Sequence, residues 1–441
     1  MSEPTPVAPP RSSARTPRQT QELVAKSLRR RYLAEWRFRI YGMLAVAFGI
    51  VFVLFLFINV FSKGISTLRQ AYVQLEVFYD PAILDPSGTR NPKDIAAADY
   101  QAIVRAAVKE RFPQVEGRKS IRDLTRLVSS GASYDLRTRV MDTDGLLGQR
   151  EKLWLLASDD VDQLMKGKIK RLTEEEGGSL SREQLAWIDD LTRTDSLDLR
   201  LNRTFFSHGD SREPEQAGVW GAVMGSIFTL VLTLVMSFPI GIAAAVYLEE
   251  FARKNRWTDL IEVNINNLAA VPSIVFGLLG LAVFIGFFGL PRSSPLVGAL
   301  VLTLLTLPTI IIASRASLKG VPPSIREAAL GMGASKIQMV AHHVLPLAMP
   351  GMLTGTIIGM ARALGETAPL LMIGMVAFIV DVPKGITDPA TVLPVQVFLW
   401  ADSPERAFVE RTSGAIIVLL AFLIVMNAAA VILRNRFERR W

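Results

Sequence analysis

The sequence predicts an all-α polytopic membrane protein with six transmembrane helices and an inserted extracytoplasmic α+β domain. Three observations predict it: six long runs carry almost no charge, lysine and arginine are spread unevenly among the loops, and one long segment is rich in charged residues. The mean hydropathy is +0.30 although 20% of the residues are charged, so the charge is concentrated between the apolar runs. Such a composition excludes intrinsic disorder over most of the length.

Six apolar runs are long enough to cross a bilayer, which takes about 20 residues of helix. The predicted helices lie at about 40–62, 217–248, 263–291, 293–314, 348–380 and 412–433. The first run is expected to be a retained anchor, because it is too long for a secretory signal and no small-x-small cleavage site follows it. The tail before it, residues 1–39, is basic and is expected to be partly disordered.

The basic residues predict the orientation of these helices. Twenty lysines and arginines lie in the two tails and in the loops on one side, against four in the short loops on the other side. Basic residues are retained in the cytoplasm, so both termini are expected there. The net charge of +8 is explained by this orientation and requires no nucleic-acid partner.

The segment 63–216 is predicted to form the extracytoplasmic domain. It carries 24 basic and 26 acidic residues, so it is nearly neutral and water-soluble. Alternating apolar residues predict strands near Val73–Val77 and Leu197–Leu201, and helices are predicted over 94–111 and 181–190. The sequence therefore predicts a small α+β domain, and no residue pattern in it indicates a site.

The amino-acid types also limit the chemistry that the chain performs. Cysteine is absent and histidine occurs three times, which excludes disulfides, thiolate catalysis and thiolate-bound metals. His342 and His343 are adjacent and point to different helix faces, so they do not form a metal pair. We expect no catalytic residue, no metal and no cofactor.

The cytoplasmic loop 315–347 is the longest loop of the membrane half. Short helices are predicted around 326–330 and 335–343, with glycines between them. The small residues Ala328, Ala329 and Gly333 would let the backbone of a soluble partner approach closely, so the loop suits docking. The alternative is an ordinary loop at the membrane surface.

The spacing within this loop resembles the EAA loop of ABC importer permeases. The resemblance implies the ABC importer permease fold, with a coupling helix that sits on the ATPase subunit. The residues that it assigns to the ATPase-coupling loop are Glu327, Ala328, Ala329, Gly333, Leu345 and Pro346. His343 departs from the pattern, because that family usually has an aliphatic residue there.

Two charged residues lie inside the predicted fifth span. Arg362 and Glu366 are four residues apart and would share one face of a helix. An arginine at mid-bilayer costs about 2.5–3.5 kcal/mol on insertion scales, so Arg362 is expected to face the protein interior. Its planar fork of donors suits two oxygens of an oxyanion, with Glu366 as its partner when no substrate is present. The alternative is a purely structural ion pair.

The run around this pair, ARALGETAPLL at 361–371, resembles the signature of the PstA family, which are permease subunits of phosphate ABC importers. A second run, AVPSIVFG at 270–277, is similar to a stretch shared by PstA and its partner PstC. The resemblance covers about Gly218–Trp441 and does not include the predicted domain. It implies that Arg362, Glu366 and Thr367 line the substrate pathway.

The function implied by the resemblance is that of a non-enzymatic permease in the bacterial inner membrane, surrounded by lipid. The implied partners are a PstC-like permease in a heterodimer, a pair of PstB-like ATPases and a PstS-like periplasmic phosphate-binding protein. The chain contains no G-x-x-x-x-G-K-[ST] motif, so ATP hydrolysis must come from the ATPase partner.

Three alternatives remain open at this point. A permease for sulfate, molybdate or phosphonate would share the docking loop but should lack the run Gly365–Leu371. A signalling receptor would need a cytoplasmic output domain, whereas the longest cytoplasmic stretch has fewer than 40 residues. A membrane-embedded enzyme would need a carboxylate pair or a Ser/His couple in the spans, and the spans contain neither.

Overall fold

The computed structural model describes residues 17–143, 145–172 and 178–437, and the chain divides into two compact units, Met1–Asn59 and Val60–Trp441. The described part of the first unit, from Pro17 onward, belongs to helix α1, which spans Pro17–Gly64 and has exposed apolar side chains along its second half. The tail predicted over 1–39 is therefore helical from Pro17 onward, and residues 1–16 lie outside the described residues.

The second unit begins with an α+β region (residues 65–216) built on a three-stranded antiparallel sheet. The strands are β1 (Arg69–Phe78), β2 (Arg150–Leu156) and β3 (Leu197–Leu201), in the order β2-β1-β3. The two strands expected near Val73–Val77 and Leu197–Leu201 are confirmed. Strand β2 was not predicted, because its first three residues are all charged and the next four, Leu153–Leu156, are all apolar, so the run does not alternate.

Eight helices and one 3-10 turn surround this sheet among the described residues. They are α2 (Pro81–Leu84), α3 (Pro92–Ala96), α4 (Tyr100–Arg111), α5 (Arg118–Thr125), α6 (Ala132–Asp142), α7 (Asp159–Met165), α8 (Arg182–Arg193), α9 (Arg203–Ser207) and the 3-10 turn Pro214–Gln216. The single helix predicted over 94–111 is wrong, because Asp99 interrupts it and caps α4 by accepting a 3.0 Å hydrogen bond from the Ala102 amide. A second 3-10 turn, Ile65–Leu68, joins α1 to β1.

The remainder of the second unit is helical. Its helices are α10 (Trp220–Val246), α11 (Arg256–Ala269), α12 (Ser273–Leu279), α13 (Pro295–Lys319), α14 (Pro323–Gly331), α15 (Lys336–Met339), α16 (Leu345–Gly365), α17 (Ala368–Met372), α18 (Leu393–Ala401) and α19 (Ala407–Phe437). Three π-helical turns, Tyr247–Phe251, Gly280–Phe287 and Val340–Val344, extend α10, α12 and α15. Within the described residues, five helices are long and apolar enough to cross a membrane, or six if one bent pair counts as a span.

Two predicted spans are broken in the structure. The third run, expected to be one helix over 263–291, is bent by 105° between Ala269 and Ser273. Pro272 explains the bend, since it lacks the amide hydrogen of a continuous helix and disfavours helical geometry in the residue before it. The fifth run was expected to be helical to Val380. Its helix, α16, ends at Gly365, and Glu366 has an extended backbone with ψ of 122°.

Small residues bring the long helices into close contact. A Cβ built on Gly241 would lie 2.6 Å from Ile310 Cγ2, and one on Gly355 would lie 2.2 Å from Ala313 Cβ. Glycine thus lets α10 and α16 pack against α13 at backbone distance, as small residues do in membrane helix pairs. This packing fixes the position of α16, which carries Arg362.

The α+β region is attached to the first turn of α19 by buried charges. Lys166 Nζ lies 2.6 Å from Asp162 Oδ2 and 2.8 Å from Glu410 Oε1, and these three side chains are at most 6% exposed. Arg411 donates to the side-chain oxygen of Gln70 on β1. The helix predicted over 412–433 therefore begins earlier, at Ala407, because Glu410 and Arg411 are paired inside the protein.

Candidate functional site

Arg362 lies near the end of α16 and pairs with Glu366. Its Nε donates to Glu366 Oε1 at 3.3 Å, and the two side chains are 47% and 17% exposed. The expectation that Arg362 faces the interior of this chain is wrong. Ala363 and Leu364 take the interior positions instead, and they are 1% and 2% exposed.

The helix packing gives the depth of Arg362 along the bundle. Helices α13 and α16 are antiparallel, with Gly355 beside Ala313 and Gly359 beside Ile310 and Thr306. Arg362, one turn further on, is therefore level with the middle of α13, a helix long and apolar enough to cross a membrane. An arginine at that depth needs a protein partner or a water-filled cavity.

Part of the guanidinium is unused. Glu366 occupies Nε, whereas Nη1 and Nη2 have no hydrogen-bond acceptor among the described residues. These two nitrogens form one edge of a planar fork, which matches two oxygens of an oxyanion. The arrangement is therefore chemically suited to binding an oxyanion from the exposed side.

The break in the helix separates the members of the predicted pathway set. Glu366 lies beyond the end of α16, so the expectation that it shares a helix with Arg362 is wrong, although the ion pair forms. Thr367 opens the short helix α17, and its carbonyl accepts from Leu370 and Leu371 at 3.1 and 3.0 Å. Its hydroxyl makes no hydrogen bond within the described part of the chain.

The two signature runs are in contact. Gly277 of the 270–277 run lies against Pro369 of the 361–371 run, and a Cβ on Gly277 would lie 2.7 Å from Pro369 Cα. Helix α12, which follows the Pro272 bend, thus packs on α17 directly after Glu366 and Thr367. The sequence provided both runs but gave no indication that they touch.

The predicted coupling loop forms a helix, a turn and a second helix. Glu327, Ala328 and Gly333 are exposed, and Leu345 and Pro346 are half-buried at the start of α16. Ala329 is only 2% exposed, so the expectation that it helps a partner to approach is wrong. It packs in the chain's own cluster of apolar residues, which also contains Ile325, Val340, Val344 and Ala348.

Three large apolar side chains of this loop were missed by the sequence analysis. Leu330, Met332 and Ile337 are 48%, 77% and 70% exposed. The signal that could have identified them is the presence of large apolar residues on both sides of the glycine turn in a loop expected to face water. Exposed apolar groups clustered in this way are typical of a surface that binds another protein.

The turn between the two helices requires glycine for its backbone. Gly333 has φ of +86°, its amide donates to the Leu330 carbonyl at 3.0 Å, and Ala334 donates to Ala329 at 3.1 Å. Other residue types rarely adopt this left-handed conformation. Gly333 therefore ends α14 through its own geometry, independently of any partner.

Comparison with known proteins gives matches to both parts of the chain. The family described as binding-protein-dependent transport system inner membrane component matches residues 237–441, and a domain of unknown function, DUF3333, matches residues 25–175. The phosphate transport system permease protein PstA 1 of Mycobacterium tuberculosis is 33% identical over 229 residues, which cover 52% of this chain and 74% of that protein. The PstA protein of Yersinia pestis is 31% identical over 254 residues, covering 57% and 84%.

Two further matches concern other transporters. The probable ABC transporter permease protein YqgI of Bacillus subtilis is 28% identical over 245 residues, which cover 52% of this chain and 82% of that protein. A solved inward-facing structure of the MetNI methionine ABC transporter aligns with 50% of this chain and 95% of that chain, at 18% identity and a TM-score of 0.40.

Proposed function

Because the chain belongs to the family of binding-protein-dependent transport system inner membrane components and is similar to PstA permeases, we propose that it is the permease subunit of an ATP-driven importer of inorganic phosphate. Membership makes the chain an ABC importer permease, a multi-pass inner-membrane transport subunit and not itself an enzyme. Phosphate as the substrate is supported by the PstA relatives and by the residues around Arg362.

The observation that carries the proposal is the exposed guanidinium of Arg362, which lies level with the middle of α13. Among the described residues, only its Nε has a hydrogen-bond acceptor. A second permease packed on this face would enclose Arg362, Glu366 and the start of α17 in a shared pathway. Inside such a pathway Nη1 and Nη2 would bind two phosphate oxygens while Glu366 holds Nε. The ion pair would thus keep the fork oriented between transport cycles.

The family implies a second permease, an ATPase and a substrate-binding protein as partners. We assign these roles to a PstC-like permease, a PstB-like ATPase pair and a PstS-like periplasmic phosphate-binding protein. The exposed side chains Leu330, Met332 and Ile337 support docking of the loop 315–347 into an ATPase groove. The basic residues of the tails support placing both termini in the cytoplasm and the α+β region in the periplasm.

The substrate is tested by stimulation of ATP hydrolysis in the reconstituted complex. The complex is incubated with the binding protein and with phosphate, sulfate, molybdate or methylphosphonate in turn. Of these four anions, only phosphate should stimulate ATP hydrolysis. Stimulation by sulfate, molybdate or methylphosphonate without stimulation by phosphate would assign the permease to another oxyanion and contradict the proposal.

A further inference from the structure

Arg326 joins three elements on the side of the bundle that carries the coupling loop. It belongs to α14, one residue before Glu327. Its Nε and Nη2 donate to Glu250 Oε1 at 3.1 and 2.7 Å, and Nη1 donates to the Val321 carbonyl at 2.7 Å. Nη2 also donates to the Leu318 carbonyl at 2.9 Å. All three donor nitrogens of the guanidinium are thus engaged.

Glu250 lies on the π-helical turn Tyr247–Phe251 that ends α10, and its side chain is 7% exposed against 21% for Arg326. A carboxylate buried to this extent is stable only with a paired cation and satisfied hydrogen bonds. The bidentate contact also fixes the orientation of both groups, which a single lysine contact would not do. The start of the coupling loop is therefore held firmly to the end of α10.

The same guanidinium also caps α13. Leu318 lies in the last turn of that helix, and Val321 follows its end at Lys319. The last carbonyls of a helix have no partner within it, and a cation there is favoured by the helix dipole. Arg326 therefore connects α14 to the ends of two long helices, and α13 packs closely on α16, which carries Arg362.

A second arginine nearby provides a natural comparison. Arg315, on α13, donates to Glu249 at 3.4 Å and to Glu262 at 3.0 Å, and it is 15% exposed. It joins the end of α10 and helix α11 to α13 but, within the described part of the chain, forms no hydrogen bond or ion pair with α14. Both arginines are partly buried and each pairs with carboxylate oxygen, but Arg315 lies on the membrane helix α13, whereas Arg326 lies on α14.

We propose that Arg326 is the positioning residue that transmits movement of the coupling loop to α10 and α13. This inference rests on the proposed function, in which the loop 315–347 docks on the ATPase. When the ATPase displaces α14, the contacts with Glu250, Leu318 and Val321 make the ends of both helices move with it. Without them, α14 would move with the ATPase while the pathway helices remain in place.

The first test measures phosphate transported per ATP hydrolysed in the reconstituted complex. Arg326→Gln should lower this ratio about tenfold, while ATPase co-purification and basal hydrolysis are retained. Arg326→Lys, which keeps the charge but cannot make all the contacts, should give an intermediate ratio. Arg315→Gln is the matched control and should reduce thermal stability without changing the ratio. An unchanged ratio in both Arg326 variants, or an equal loss in Arg315→Gln, would overturn the proposal.

The second test needs no substrate and so separates this inference from the proposed function. Because the chain has no cysteine, spin labels are placed through single cysteines at Ser324, an exposed residue of α14 outside the proposed docking surface, and at Tyr247, which is 59% exposed. On addition of ATP to the complex, their distance should stay constant with Arg326 present and change with Arg326→Gln. A constant distance in the variant would overturn the role of Arg326. Failure of the wild-type complex to move phosphate would contradict only the proposed substrate.

Discussion

Gly277 lies against the backbone of Pro369, and a Cβ built on Gly277 would be 2.7 Å from the Pro369 Cα and 2.8 Å from its carbonyl oxygen. The contact joins α12 to α17, the short helix that follows Glu366 and Thr367. Only a residue without a side chain permits so close an approach. The segment that carries the ion-pair partner of Arg362 is therefore held in place by the helix after the Pro272 bend.

The first prediction concerns this contact. Gly277→Ala should displace α17 and destabilise the protein by about 1–3 kcal/mol, the usual cost of overpacking. Phosphate uptake and the thermal unfolding midpoint in detergent measure the effect. Gly359→Ala is the control, since its Cβ would meet Ile310 at an ordinary 3.7 Å. Equal behaviour of the two variants would show that the Gly277 contact is not required.

The second prediction concerns Arg362. Arg362→Lys keeps the charge but loses the two-pronged edge, so phosphate uptake should fall sharply. Because the Arg362 side chain is 47% exposed in this chain, the variant should still fold and assemble. The double variant Arg362→Gln with Glu366→Gln should also assemble and should lose uptake. Wild-type uptake by the double variant would make the pair structural only.

The third prediction separates docking from turn geometry in the coupling loop. Met332→Asp introduces a charge into an exposed apolar surface and should weaken ATPase co-purification, whereas the fold should be unchanged. Gly331→Leu adds bulk next to it at a position with open space and no positive φ, and should have the same effect. Gly333→Leu should in addition lower the unfolding midpoint, because its φ is +86°. Normal co-purification of Met332→Asp and Gly331→Leu would exclude this surface as the docking site.

The fourth prediction concerns the buried charges beneath the α+β region. Lys166→Met leaves Asp162 and Glu410 buried without their cation, and removal of one partner of a buried pair costs about 3–5 kcal/mol. The variant should therefore unfold at a clearly lower temperature. Lys168→Met, at an exposed lysine two residues away, should have little effect. A midpoint in Lys166→Met equal to that in Lys168→Met would rule out the stabilising role of these charges.

The fifth prediction concerns pH. Burial, with a contribution from nearby Glu215, raises the pKa of Asp159 from 3.8 to about 7. The folded protein therefore retains a proton that the unfolded chain releases near pH 4, so this carboxyl makes stability fall as pH rises from about 4 to about 7. Asp159→Asn should reduce that fall, as measured by unfolding midpoints across this range. An identical pH profile in the variant would contradict the assignment.

Sequence reasoning succeeded where one local signal determines the outcome. The apolar runs located the long helices, and the alternation at Val73–Val77 located β1. It failed where distant residues decide. Glu410 and Arg411 are part of α19 because residues more than 240 positions earlier pair with them, as the Lys166–Glu410 contact shows.

In the candidate site, too, the sequence predicted the features that depend on local residues but not those that depend on packing. The sequence singled out Arg362 and Glu366 by their charge in an apolar run, and the structure pairs them. It could not predict the helix end at Gly365 or the exposure of Arg362, since both depend on how α12, α16 and α17 pack. Exposure of Ala328 and burial of Ala329 likewise follow from the angle at which α14 lies on the bundle.

The most direct test of the central claim is ATP-driven uptake of radiolabelled phosphate into vesicles that contain the complete complex. Uptake should require ATP and the binding protein, should persist in excess sulfate and molybdate, and should be lost in Arg362→Lys with assembly intact. Uptake that sulfate or molybdate abolishes, or that Arg362→Lys leaves unchanged, would contradict the account of Arg362 as the phosphate-binding residue of the pathway.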